Sequence, residues 1–143
     1  MPYRYLEDIA IADAAFEAWG ATLEELFAAA ADATLNVMVE DLESVVPQEE
    51  RQLRLEADAI DLLLFELLQE IIFYKDAQCL LLRVADLRIV ETDGRFSLSG
   101  IARGEAIDPS RHELLVDVKA VTLHRFRVEK APEGWETTVI LDT

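Results

Sequence analysis

Two hydrophobic periods divide the chain. Residues 3–6 are long enough for one short strand. Residues 12–19 alternate with a period of two, so that Asp13, Ala15, Glu17 and Trp19 fall on one side and Ala14, Phe16 and Ala18 on the other. Gly20 breaks that strand. Thr22 then has the form of a helix N-cap, with Glu25 three residues later completing a capping box. Phe27, Ala31, Leu35 and Met38 recur at helical spacing, which predicts a helix as far as about Val39 with those residues facing the core. Its many alanines give it a slim surface that a sheet can approach closely. Residues 41–50 are acidic, contain Pro47, and read as a solvated connection. Strict alternation returns over 52–57, as in a strand with one wet face. Asp58 stands where it can cap a second helix over 59–74. That helix is apolar around most of its girth, with Glu66, Gln69 and Glu70 as its polar stripe.

The second half reads as strands. Residues 80–84 and 87–91 are two candidates, Thr92-Asp93-Gly94-Arg95 is a hairpin turn, and 96–105 returns. Asp108-Pro109 opens a loop, 115–128 is a long strand region, and Pro132-Glu133-Gly134 turns the chain into a last strand over 135–141. This order predicts an α+β fold with two main helices and a largely antiparallel sheet. With 143 residues and neither repeat nor linker, residues 1–143 read as a single domain.

Composition narrows the function. Apolar residues make up 52%, which excludes a disordered chain. The most apolar run, 60–74, is interrupted by Asp61, Glu66, Gln69 and Glu70, so no membrane association is expected. The first residues lack the apolar core of an export signal, and a cytoplasmic protein is expected. The one cysteine, Cys79, precedes Leu80-Leu81-Leu82 and reads as a buried, inert thiol. With 29 acids against 13 bases the net charge is −16. Direct binding to a nucleic-acid backbone is disfavoured by that balance, whereas cations and basic partners suit it.

Little classical catalytic chemistry is present. There is no nucleophile elbow and no phosphate-cradling glycine loop. His112 follows an Asp-Pro turn and reads as bonded to loop backbone; His124, on an apolar-rich strand, reads as structural. Asp76, Asp108 and Asp117 are accounted for by a helix end, a turn and a wet strand face. Asp13 is harder to place, because it lies within Ile9-Ala10-Ile11-Ala12-Asp13-Ala14-Ala15-Phe16, where an unpartnered carboxylate is costly. The last strand runs into Asp142, beside the carboxylate of Thr143. If the strands of Asp13 and Asp142 pair, these oxygens converge, and with water they suit Ca²⁺, Mg²⁺ or Mn²⁺.

Several segments, taken in order, carry a resemblance. They are Tyr3-Arg4-Tyr5-Leu6-Glu7-Asp8 followed by Ala12-Asp13 and Ala18-Trp19-Gly20; Thr22-Leu23-Glu24-Glu25-Leu26-Phe27; and Asp108-Pro109 through His112-Glu113-Leu114. Lys119-Ala120-Val121-Thr122 with His124, and Gly134-Trp135 to Leu141-Asp142, complete the set. Over essentially its whole length the chain resembles archease, the small activator of the RtcB-type tRNA-splicing RNA ligase. The resemblance implies an accessory protein rather than a catalyst, one that promotes guanylylation and turnover of the ligase. It also implies a divalent metal, calcium in the family's usual description, held by Asp13, Asp142 and Thr143. Asp8, Lys119 and His124 are carried as supporting positions. Two departures stand out. The family's His-Thr-Ala-Asp run is here Ala10-Ile11-Ala12-Asp13, with Asp8 near the place of the missing His, and the last residue is Thr where isoleucine is common. Two other functions remain open from the residues: a chaperone-like binding module, which the apolar helix and acidic surface would suit, and a metal-dependent hydrolase, for which no general base is apparent.

Overall fold

The computed structural model describes residues 2–6 and 13–143. Strands β1 (Tyr3–Leu6) and β2 (Asp13–Gly20) lead into helix α1 (Leu23–Met38), followed by a single 3-10 turn (Leu42–Ser44) and strand β3 (Glu49–Ala57). Helix α2 (Ile60–Gln78) precedes strands β4 (Leu80–Thr92), β5 (Arg95–Ala106), β6 (Ala120–Ala131) and β7 (Gly134–Asp142). The fold is α+β with all strand pairs antiparallel, in two sheets rather than one: β1-β2-β7-β6 and β3-β5-β4.

The two helices share one core with both sheets. Helix α1 packs on β2 and β7 and against the edge strand β4, while α2 meets β3, β4 and β5 on one side and β6 on the other. Phe16, Val139 and Leu141 from the first sheet, Leu53 and Leu98 from the second, and Phe27, Leu35, Leu64 and Leu67 from the helices are buried together. The alanine-rich face of α1 lets β2 approach, and Ala29, Ala30, Ala31 and Ala33 are all buried. The capping box forms in shifted guise. The Glu25 N–H donates to Thr22 Oγ1 (3.1 Å), and the Glu25 carboxylate accepts from the Ala21 N–H (2.9 Å) rather than from that of Thr22.

Several boundaries differ from the expectations, each for a local reason. Asp58 does not cap α2; it pairs with Arg95 (2.5 Å), and Ala59 occupies the N-cap with no side-chain bond. Helix α2 runs to Gln78, because Lys75 in its last turn is buried and held by Asp76, Asp117 and the carbonyl of Val118. Cys79 is exposed, not buried: it ends the helix in a left-handed conformation (φ 55°) that carries its side chain outward. The two strands expected over 80–84 and 87–91 are one, interrupted between Ala85 and Arg88 by a bulge in which Asp86 takes φ 55°. The hairpin turn at Asp93 (φ 52°) and Gly94 (φ 77°) forms as expected. Residues 115–119 are not part of β6. Leu115 and Val116 donate to the carbonyls of Met38 and Val37, taking up acceptors that the C-terminus of α1 leaves open.

Candidate metal centre at the ends of β2 and β7

The register between β2 and β7 settles where the two aspartates stand. Asp13, the first residue of β2, is directly opposite Asp142, the last of β7. Residues directly opposite in an antiparallel pair project from the same face, with Cβ atoms about 5 Å apart. Like charges in that position are mildly destabilising, and a bound cation would offset that cost. On the other side of β7, Ala120 is opposite Asp142, and the Lys119 N–H donates to the Asp142 carbonyl (2.8 Å). Lys119 thus lies at the same end of the sheet, with its side chain exposed.

A third group shares this face. Thr122 on β6 is opposite Ile140, two residues before Asp142, so its side chain projects to the side that carries both aspartates. Its Oγ1 is buried and, among the described residues, has no hydrogen-bond partner. This buried oxygen without a described partner shares the aspartates' face of the sheet but lies one side-chain position further in along it. The donor set suits a hard cation, since all of its members are oxygens. Among the described residues no three side chains of His, Cys, Asp or Glu come together on one ion. The two aspartates would therefore need completion by oxygens such as those of Thr143 and by water.

The other expected positions divide. His124 lies in an interruption of β6 between Thr122 and Arg127, not in the paired ladder, and is exposed rather than structural; Arg125 beside it takes φ 59°. Asp8 lies outside the described residues.

His112 bonds loop backbone as expected, and it joins a polar cluster with Glu105 that the sequence did not suggest. Glu105, at the end of β5, is 4% exposed and His112 is 2% exposed. His112 Nδ1 accepts from the Asp108 N–H (2.9 Å), so the ring proton sits on Nε2 and is donated to Glu105 Oε2 (3.1 Å). The same carboxylate accepts from the Val46 N–H (2.6 Å) and pairs with Arg111. The Val46 N–H is the main cause that holds the Glu105 carboxyl below the ordinary carboxylate range against its burial, helped by His112 and Arg111. With both ring nitrogens and both carboxylate oxygens occupied, this acid–histidine pair fastens the loop to β5 and the segment before β3. An acid closing a strand reads in sequence as a solvated end, which is why it was missed.

A family model described as the Archease protein family (MTH1598/TM1083) matches residues 3–143. The chain belongs to the archease family. It is 34% identical to the archease of Methanopyrus kandleri over 142 residues, covering 99% of each chain. It is 36% identical to that of Thermococcus gammatolerans over 132 residues, covering 92% of each. The solution structure of Methanobacterium thermoautotrophicum Protein 1598 superposes with a TM-score of 0.85 at 34% identity and 99% coverage of both chains. A crystal structure from Thermotoga maritima, described as an archease and possible chaperone, shares the fold with a TM-score of 0.62, 19% identity and coverage of 96% of this chain and 97% of that one.

Proposed function

We propose that the protein is a non-catalytic activator of an RtcB-type tRNA-splicing RNA ligase, acting through a divalent-cation site at Asp13, Asp142 and Thr143. Family membership supplies the partner class. The observation that carries the site is the direct opposition of Asp13 and Asp142 at one end of the first sheet. Calcium is the cation that the family favours, and magnesium or manganese fits the same oxygen donors. A bound cation would supply a concentrated positive charge at the tip of an otherwise acidic molecule. The aspartates orient it from neighbouring strands, Thr143 adds oxygen at the strand end, and Lys119 offers a charged group from the start of β6. The net charge of −16 suits docking to the basic surface that a ligase must present to RNA and nucleotide.

The test is ligase–guanylate formation with the wild type, Asp13→Asn and Asp142→Asn. Both substitutions keep side-chain volume and relieve repulsion, so both variants should fold. Loss of stimulation in each, with unchanged circular dichroism, is the expected result; stimulation equal to the wild type removes the tip from the mechanism. A chaperone-like role is the second reading, and one surface feature favours it: Leu114, Leu115 and Val116 form an exposed apolar run, each 44–49% accessible. Protection of unrelated unfolding clients in the absence of the ligase would support it.

A further inference from the structure

One row of side chains on the second sheet runs against the acidity of the molecule. Ser99 on β5 is directly opposite Arg54 on β3 and directly opposite Arg88 on β4. All three therefore project from one face. Strand spacing of about 4.8 Å sets the two arginine backbones about 10 Å apart, with the hydroxyl between them. Glu56, Ser97 and Val90 form the next row on that face. These side chains line an open groove of about 510 Å³.

The remaining bases of this sheet are all engaged. Arg51 pairs with Glu49, Arg83 with Asp32 and Glu43, Arg95 with Glu56 and Asp58, and Arg103 with Glu50 and Asp86. Among the described residues Arg54 and Arg88 have neither an ion pair nor a side-chain hydrogen bond, although acids outnumber bases 29 to 13. Glu56, the carboxylate of the groove itself, lies toward Arg95 (3.5 Å). Two guanidinium groups on one row repel each other, and an anion between them would reverse that repulsion.

We propose that Arg54, Ser99 and Arg88 form a binding site for one phosphate group of a small phosphate ester. Each guanidinium presents paired N–H donors that match an oxyanion, and the Ser97 and Ser99 hydroxyls supply donors from the central strand. A tetrahedral phosphate offers oxygens to both flanks at once, whereas a planar carboxylate is satisfied by a single fork. The surrounding negative charge confines the site to small ligands: the further phosphates of a nucleic-acid strand would meet Glu50, Glu56 and Asp86.

Amide resonances of ¹⁵N-labelled protein, followed during titration with pyrophosphate in metal-free, low-salt buffer, test the site. The expected result is saturable shifts centred on residues 54, 88 and 97–99. Binding should be about tenfold weaker in the Arg54→Gln/Arg88→Gln variant, as loss of charge-assisted hydrogen bonds implies, and unchanged in Arg125→Gln. All three residues are exposed, so the variants should remain folded. Shifts that fail to saturate, an equal response to acetate, or an undiminished response in the double variant would overturn the proposal.

Discussion

Two carboxylate environments show how differently this chain treats its acids. Glu105 is enclosed and fully partnered: backbone Val46, His112 and Arg111 all favour its ionised form. Asp13 and Asp142 stand directly opposite each other on paired strands, and among the described residues neither carboxylate has such partners. The first arrangement stabilises the fold; the second is the one proposed above to receive a cation. Because the Glu105 carboxyl titrates lower in the folded chain than its ordinary value of 4.5, its contribution is complete above that value and is lost as pH falls through the folded value. Glu105→Gln should therefore lower the urea midpoint at neutral pH, and the difference from wild type should shrink as the pH is taken progressively below 4.5. A difference that stays constant over that range would deny Glu105 this role. Asp13 was legible in the sequence because an acid among alanines and isoleucines demands a reason. Thr122 was not, because only the strand register shows that its hydroxyl shares the aspartates' face.

Close approach between strands governs the elements. A Cβ at Gly104 would lie 1.7 Å from the Leu81 carbonyl oxygen, so β4 and β5 can pair there only through glycine. Gly104→Ala should cost about 3 kcal/mol or more in chemical denaturation; a loss within about 0.5 kcal/mol, typical of a surface change, would show that the strands tolerate separation. Element types were readable where periodicity was strict, as in β2 and α1, and at the Asp93-Gly94 turn. They were misread where tertiary contacts decide. The bulge at Asp86 joins two apparent strands into one. The 115–119 segment alternates like a strand, yet its backbone binds the end of α1. The end of α2 depended on an ion pair between the buried Lys75 and the exposed Asp117, 42 residues apart in the chain.

Taken whole, the molecule places its candidate cation site at one end of the first sheet and Arg54 and Arg88, without ion pairs among the described residues, on the second, on a body of net charge −16. Neither the division into two sheets nor the arginine row can be read from composition, because both depend on which strands become neighbours. If the protein docks on a basic ligase as proposed above, association should slow as ionic strength rises, since screening shortens electrostatic reach to about 8 Å at physiological salt. Association rates measured by stopped flow between about 50 and 500 mM salt should fall at least tenfold, with a smaller change in dissociation. A rate independent of salt would mean that apolar contact, such as the Leu114-Leu115-Val116 run, dominates docking instead.

The proposed function requires Asp13 and Asp142 to hold one cation between them. Manganese is paramagnetic and broadens the resonances of nearby nuclei, so an NMR titration of the free protein with Mn²⁺ tests it most directly. Broadening should begin at residues 13, 120 and 141–143 at substoichiometric Mn²⁺, be relieved by excess Ca²⁺, and disappear in Asp142→Asn. Broadening that starts at another acidic surface, or that persists unchanged in that variant, would contradict it.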